Sequence, residues 1–240
     1  MIYILLIFQL LAHVITDFYL QSDSFCAVKQ EKGAHCWQMY VHALVAFIVS
    51  YLCSCSFSFW WAALVIGGSH LMLDCLKSKY STLPWAFFID QIFHIIVIVS
   101  IVVAYCRVDT ICMPGWLNVR YLLYAFGLLI SLKPINIAMR EFMNSAQIVV
   151  PSTLGKNTNT NTKELPNAGK WIGVIERLLT YIFVLIGIYE AIGFLIAAKS
   201  ILRLNDKDVA KSEYVLVGTL LSFASAIVIG IIIRKCCSSL

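Results

Sequence analysis

The sequence predicts an all-α, polytopic transmembrane helix bundle of about seven spans, with one interfacial amphipathic helix besides. Three observations predict it. Of the 240 residues, 60% are hydrophobic and only 13% charged, with a mean hydropathy of +0.84, more apolar surface than a soluble domain of this length could cover. Apolar runs approaching or exceeding the roughly 18 residues needed to cross a bilayer recur along the chain. Lysine and arginine gather in the segments between those runs.

Spans are expected near residues 2–20, 39–55, 60–76, 85–105, 117–132, 171–202 and 214–233. The first run lacks a basic leading segment and an A-x-A cleavage site, and it carries His13 and Asp17, so it reads as a retained helix rather than a signal peptide. Ser56 to Ser58 form a tight hairpin between the second and third spans. The sixth run is long enough to tilt, or to break near Gly187 or Gly193. Between the fifth and sixth, Ile135 to Val150 place apolar residues at helical spacing around Arg140, Glu141 and Asn144, the pattern of a helix lying in the interface or across the end of the bundle. Ser152 to Lys170 are polar, low in complexity and without periodicity, as in a flexible loop. The domain organisation expected is 1–132, a His/Asp-rich bundle; 133–170, interfacial helix and loop; and 171–240, a two-helix C-terminal part.

With seven spans, eleven basic residues fall on one side and six on the other, which sets the N-terminus outside and the C-terminus inside. The nine cysteines make no extracellular disulfide framework, because five of them fall on the predicted inner side. The net charge of +5 is spread over the inner loops, where topology and anionic lipid account for it, so nucleic acid is excluded as a partner. Membrane lipids are the expected partners, with a second copy or other membrane subunits as further candidates. No phosphate-cradling glycine loop, dinucleotide fingerprint or Ser/His/Asp nucleophile motif is present.

The informative feature is polar. Four of the five histidines lie in apolar stretches, and three stand four residues from an aspartate: His13 with Asp17, His70 with Asp74, and Asp90 with His94. An aspartate within a span costs roughly 2.5–3.5 kcal/mol on insertion scales, so three aspartates together with four histidines require a reason. Four residues are about 6 Å of helical rise with about 40° of drift, so each pair shares a face. His42 falls at the same predicted membrane level. The two hairpins repeat the order His-x-x-x-Asp, turn, His, which suggests an internal duplication about an axis along the membrane normal. His35 reads as an ordinary loop residue.

Imidazole and carboxylate together suit zinc, manganese or iron, and a bound cation would neutralise the aspartates. The candidate metal ligands are therefore His13, Asp17, His42, His70, Asp74, Asp90 and His94. Two other readings use the same residues: a hydrogen-bonded network that locks the bundle, and a path for protons or divalent cations. Polar contacts between membrane helices average only about 0.6 kcal/mol, a small return for so many ionisable groups. If the centre is catalytic, the expected reaction is metal-assisted hydrolysis of a lipid or phosphoester, with Asp90 or Glu176 as general base and Lys77, with Arg177, holding an anionic headgroup. Glu176 is placed early in the sixth helix at the level of the cluster, Glu190 deeper, and Lys199 and Arg203 at the opposite end as interface anchors. An assembly or sensor subunit without chemistry is the remaining class.

The segments HVITDFYLQSD (13–23), VHALVAF (41–47), SHLMLDCLK (69–77) and DQIFHIIVI (90–98) resemble the blocks of the bacterial membrane proteins grouped as domain-of-unknown-function family 3307. GKWIGVIERLL (169–179) and YEAIGFLIAAKSILR (189–203) resemble the second half of its longer members. The resemblance implies a bacterial inner (plasma) membrane protein with no established activity. It also implies a distant likeness to membrane-bound metal-dependent hydrolases.

Overall fold

The computed structural model describes residues 2–32, 36–80, 83, 85–109, 118–148, 168–201 and 209–239. His35, Cys112, Arg203 and most of the 152–170 loop lie outside the described residues. Nine α-helices run through the described residues: α1 (Ile2–Val14), α2 (Asp23–Lys32), α3 (Trp37–Ser54), α4 (Trp60–Lys79), α5 (Ala86–Val108), α6 (Val119–Ser145), α7 (Ala168–Ile186), α8 (Tyr189–Ile201) and α9 (Val209–Ser238). No strand occurs among them. Among the described residues, six helical segments are long and apolar enough to cross a membrane: 2–19, 37–54, 57–79, 86–108, 119–145 and 212–238. This is the architecture of an integral membrane protein, with six such spans where the sequence predicts seven.

The chain forms two compact units, Met1–Leu122 and Leu123–Leu240. In the first, α1, α3, α4 and α5 close a ring in which α1 packs on α3 and α5, and α4 packs on the same two. The apolar core fills one end of this ring: Leu5, Phe59, Ala62, Ala63, Ile66, Ile98, Val102 and Tyr105. Small residues let the helices approach. A Cβ added at Gly67 of α4 would stand 2.9 Å from the Phe47 Cβ and 3.0 Å from the Ala43 carbonyl oxygen of α3. Close backbone approach of this kind is how membrane helices gain dispersion energy when lipid offers no hydrophobic drive. The outward faces carry Leu44, Ile48, Leu64, Ile92 and Ile96, all exposed, as a lipid-facing surface requires.

Three elements depart from the predicted spans. The first helix ends in a π-helical turn, Ile15–Tyr19, closed by the Leu20 N–H donating to the Ile15 carbonyl at 2.9 Å. A short helix, α2, precedes the second span; the Ser22 hydroxyl caps it by accepting the Phe25 N–H at 3.3 Å. Finally, α6 runs unbroken through Pro134 to Ser145, so 135–145 continues the fifth span instead of forming a separate interfacial helix. A proline interrupts one backbone bond, and membrane helices tolerate this where neighbours and side-chain hydroxyls compensate.

In the second unit the predicted long sixth helix breaks at Gly187, one of its two expected breakpoints. Gly187 adopts φ +83°, and the Ile188 N–H returns to the Phe183 carbonyl at 2.9 Å, a left-handed helix stop that favours glycine. Helix α8 then folds back along α7, where Val184, Ile192 and Phe223 form the core with α9. Arg234 of α9 donates to the Val184 carbonyl at 3.4 Å and to the Tyr189 hydroxyl at 2.9 Å, placing a cation at the carbonyl end of α7.

Replacing Gly67 with alanine is expected to force α3 and α4 apart at a cost of about 1–3 kcal/mol. The check is the unfolding midpoint in detergent, which should fall; an unchanged midpoint would mean the helices are not in this contact.

Candidate metal centre

The antiparallel order of α1, α3, α4 and α5 brings the end of α1, the start of α3, the second half of α4 and the start of α5 to one end of the first unit. All seven predicted ligands meet there. Six of them are buried (His13, His42, His70, Asp74, Asp90 and His94), and Asp17 is nearly so. The i,i+4 pairs form as predicted. His13 Nδ1 lies 3.7 Å from Asp17 Oδ1, His70 Nδ1 lies 3.9 Å from Asp74 Oδ2, and His94 Nδ1 lies 3.4 Å from Asp90 Oδ1.

The contacts between helices are tighter. His70 Nε2 stands 2.8 Å and His42 Nε2 3.5 Å from Asp17 Oδ1, so three imidazoles from three helices converge on one carboxylate oxygen. On its other side, His70 Nδ1 meets His94 Nε2 at 3.1 Å. His42 Nε2 also approaches Asp74 Oδ2, at 3.8 Å. Three triads have ligand atoms within 4.8 Å of one another: His13, Asp17 and His70; His42, His70 and Asp74; and Asp74, Asp90 and His94.

Two lysines enter the cluster, and their positions divide the carboxylates. Lys29, itself buried, reaches from α2 and donates a short hydrogen bond to Asp74. Lys77 donates to Asp90 at 2.7 Å and lies over the Phe87 ring. Gln91 donates to Asp17 Oδ2 and to Asp90 Oδ2, each at 3.3 Å, and its amide oxygen lies 3.3 Å from His13 Nε2. Two of three carboxylates are thus matched by an ammonium, and Asp17 has only imidazoles and an amide.

The donor set fits a cation at Asp17. Asp17 Oδ1, His70 Nε2 and His13 Nδ1 are buried and make no hydrogen bond, although the first two are 2.8 Å apart. Buried donor atoms that crowd outside hydrogen-bond geometry could hold one ion between them. Bonds of about 2.0–2.1 Å in a tetrahedron place ligand atoms about 3.3 Å apart, comparable to the 2.8 and 3.7 Å from Asp17 Oδ1 to His70 and His13, while His42 groups with His70 and Asp74. A cavity with room for roughly one water adjoins the imidazoles of His13, His70 and His94, and Gln9, Ser50 and Ser69 line it as well. Gln9 and Ser50 are locked to each other, the Ser50 hydroxyl donating to Gln9 Oε1 at 2.6 Å.

A family model described as a protein of unknown function (DUF3307) matches residues 5–124. The chain belongs to this family. The DUF3307 region contains every group of the cluster, including Lys29, Lys77 and Gln91, and no activity is established for it. No curated protein and no solved structure gives a significant match.

Glu176, proposed from the sequence as a base, lies outside the DUF3307 region in the second unit. There Lys199 binds its carboxylate at 2.5 Å. The sequence sets these two at opposite ends of one long helix; the fold-back at Gly187 makes them neighbours. Glu190, expected deep in that helix, is instead the second residue of α8 and is exposed at the bend. Sequence reasoning missed Lys29 and Gln91. Lys29 counts there only as a loop charge; the Ser22 cap ahead of it was the available sign that a helix carries it.

Replacing Lys29 with methionine leaves Asp74 buried without its cation, which should destabilise the metal-free protein by about 3–5 kcal/mol. Zinc should restore more stability to this variant than it adds to the wild type, because no ammonium competes for Asp74. Thermal unfolding with chelator and with zinc measures both; an equal zinc effect in the two proteins would remove Asp74 from the ligand set.

Proposed function

We propose that this protein is a membrane metalloprotein whose His/Asp cluster holds a divalent metal ion (zinc, manganese or iron) and hydrolyses a lipid-borne phosphoester at the membrane surface. The observation that carries the reading is Asp17: a carboxylate with no lysine, whose Oδ1 three imidazole nitrogens approach without a hydrogen bond among them. Asp17, His13, His42 and His70 would hold the ion, and Asp74, His94 and Asp90 would orient the imidazoles or seat a second one. When bound, such an ion supplies an acidified water and a Lewis-acid face for a phosphoryl oxygen.

The chain's own residues supply the rest. Lys77, partly exposed at the edge of the cluster, is placed to hold an anionic oxygen. In doing so it would release Asp90, which can then take a proton from the attacking water. Lys29 supplies the counter-charge of Asp74. A path for protons or cations is the second reading. It is favoured by the run of imidazoles, His13 to His94 at 5.2 Å and His94 to His70 at 4.2 Å between ring centroids, beside a water-sized cavity.

We also place the cluster on the cytoplasmic side of a bacterial inner membrane. The fold-back at Gly187 makes α7 and α8 an antiparallel pair, which we read as adding no net crossing to the six candidate spans. Basic residues then divide thirteen inside against four outside, a sharper bias than the eleven against six of seven single spans.

Two measurements follow. In detergent with zinc or manganese, the protein should release phosphate from phosphatidic acid or a related lipid phosphoester, and His70→Ala should lose at least a hundredfold. Metal-dependent ion flux in proteoliposomes without hydrolysis would select the second reading. A reporter fused to the C-terminus should signal the periplasm; a cytoplasmic signal would restore the odd number of crossings.

A further inference from the structure

In the second unit, outside the DUF3307 region, Arg177 of α7 is a buried charge without a counter-charge. It is 3% exposed, and among the described residues no carboxylate lies within 4 Å of it. The neighbouring acid, Glu176, is taken by Lys199 at 2.5 Å. The buried lysine and aspartates among the described residues are paired: Lys29 with Asp74, and Asp90 with the partly exposed Lys77. Arg177 has instead a neutral partner, its Nη1 donating to the Ser222 hydroxyl of α9 at 3.3 Å.

The orphaned atoms are specific. Arg177 Nε and Nη2 have no partner, and these form the side-on fork that binds two oxygens of a carboxylate or phosphate in parallel. The hydroxyls of Thr180, one turn along α7, and of Thr219, one turn before Ser222 on α9, are also buried and without partners. Helical side chains lean toward the N-terminus, and Arg177 Nη1 lies 3.4 Å from where a Cβ at Gly173 would stand. That is only two residues, about 3 Å of rise, beyond the exposed Trp171 and Lys170 that read as interface anchors. With Trp171 and Lys170 at the membrane surface, the guanidinium would lie at headgroup depth.

We propose that Arg177, with Ser222 and Thr219, forms a binding site for a phosphate group, separate from the His/Asp cluster. The chemistry recognised is an oxyanion with two free oxygens, from a phospholipid headgroup or from free phosphate. The depth of the guanidinium favours the headgroup.

The test uses the full chain, purified in neutral detergent with chelator present, so that the metal reading does not enter. Thermal unfolding is followed with phosphatidylglycerol, with inorganic phosphate and with a neutral glycolipid that lacks phosphate. At about a hundredfold excess over the dissociation constant, the wild type should gain about 5 °C or more from phosphatidylglycerol and nothing from the glycolipid. A matching gain from inorganic phosphate would identify free anion as a sufficient ligand. Arg177→Met should melt no lower than the delipidated wild type and lose the phosphate-dependent gain; Arg177→Lys, which keeps charge but not the fork, should lose most of it. Thr219→Val serves as a milder variant if Arg177→Met fails to fold. No gain in the wild type from either phosphate source, or an equal gain in Arg177→Met or in Thr219→Val, overturns the site.

Discussion

The first unit depends on a charge imbalance at one end of a four-helix ring. Three carboxylates, Asp17, Asp74 and Asp90, stand among apolar helices with two ammonium groups, Lys29 and Lys77. An unmatched carboxylate in such surroundings is expensive, and the remaining one, Asp17, is ringed by imidazoles from α1, α3 and α4. The rest of the unit follows from holding these groups together. Apolar packing is concentrated at the far end, glycine and alanine bring the helices close, and α2 exists as the arm that delivers Lys29.

The second unit meets the same physics differently. Its partly buried acid and base, Glu176 and Lys199, are brought together by a left-handed glycine that folds the helix back on itself. Arg234 then covers the carbonyls exposed at that fold. Among the described residues the buried charge of Arg177 remains without a counter-charge, which makes it as informative for its unit as Asp17 is for the first.

Much of the ring and its cluster was legible in the sequence, because both are written in helical period. Apolar runs give the spans, and a four-residue spacing gives the faces. Alternating hairpins give a common end for His13, His42, His70 and His94. What was not legible is what depends on tertiary neighbours. The Lys29–Asp74 contact joins a short, weakly apolar helix to a residue 45 positions away. Whether Gly187 reverses the chain or merely bends it depends on φ, which hydropathy does not report, and the positions of Glu176, Glu190 and Lys199 all hang on that difference. Pro134 misled in the opposite direction, since a proline between an apolar run and an amphipathic one resembles a boundary, and α6 passes through it.

The central claim is that a cation belongs at Asp17. Elemental analysis of the purified full-length protein by inductively coupled plasma mass spectrometry, beside Asp17→Ala, tests it most directly. The account predicts close to one equivalent of zinc, manganese or iron or more in the wild type, and loss of that metal in the variant. A folded wild type that holds no metal even after incubation with zinc and manganese would contradict it, and would leave the imidazoles as a structural or proton-conducting network.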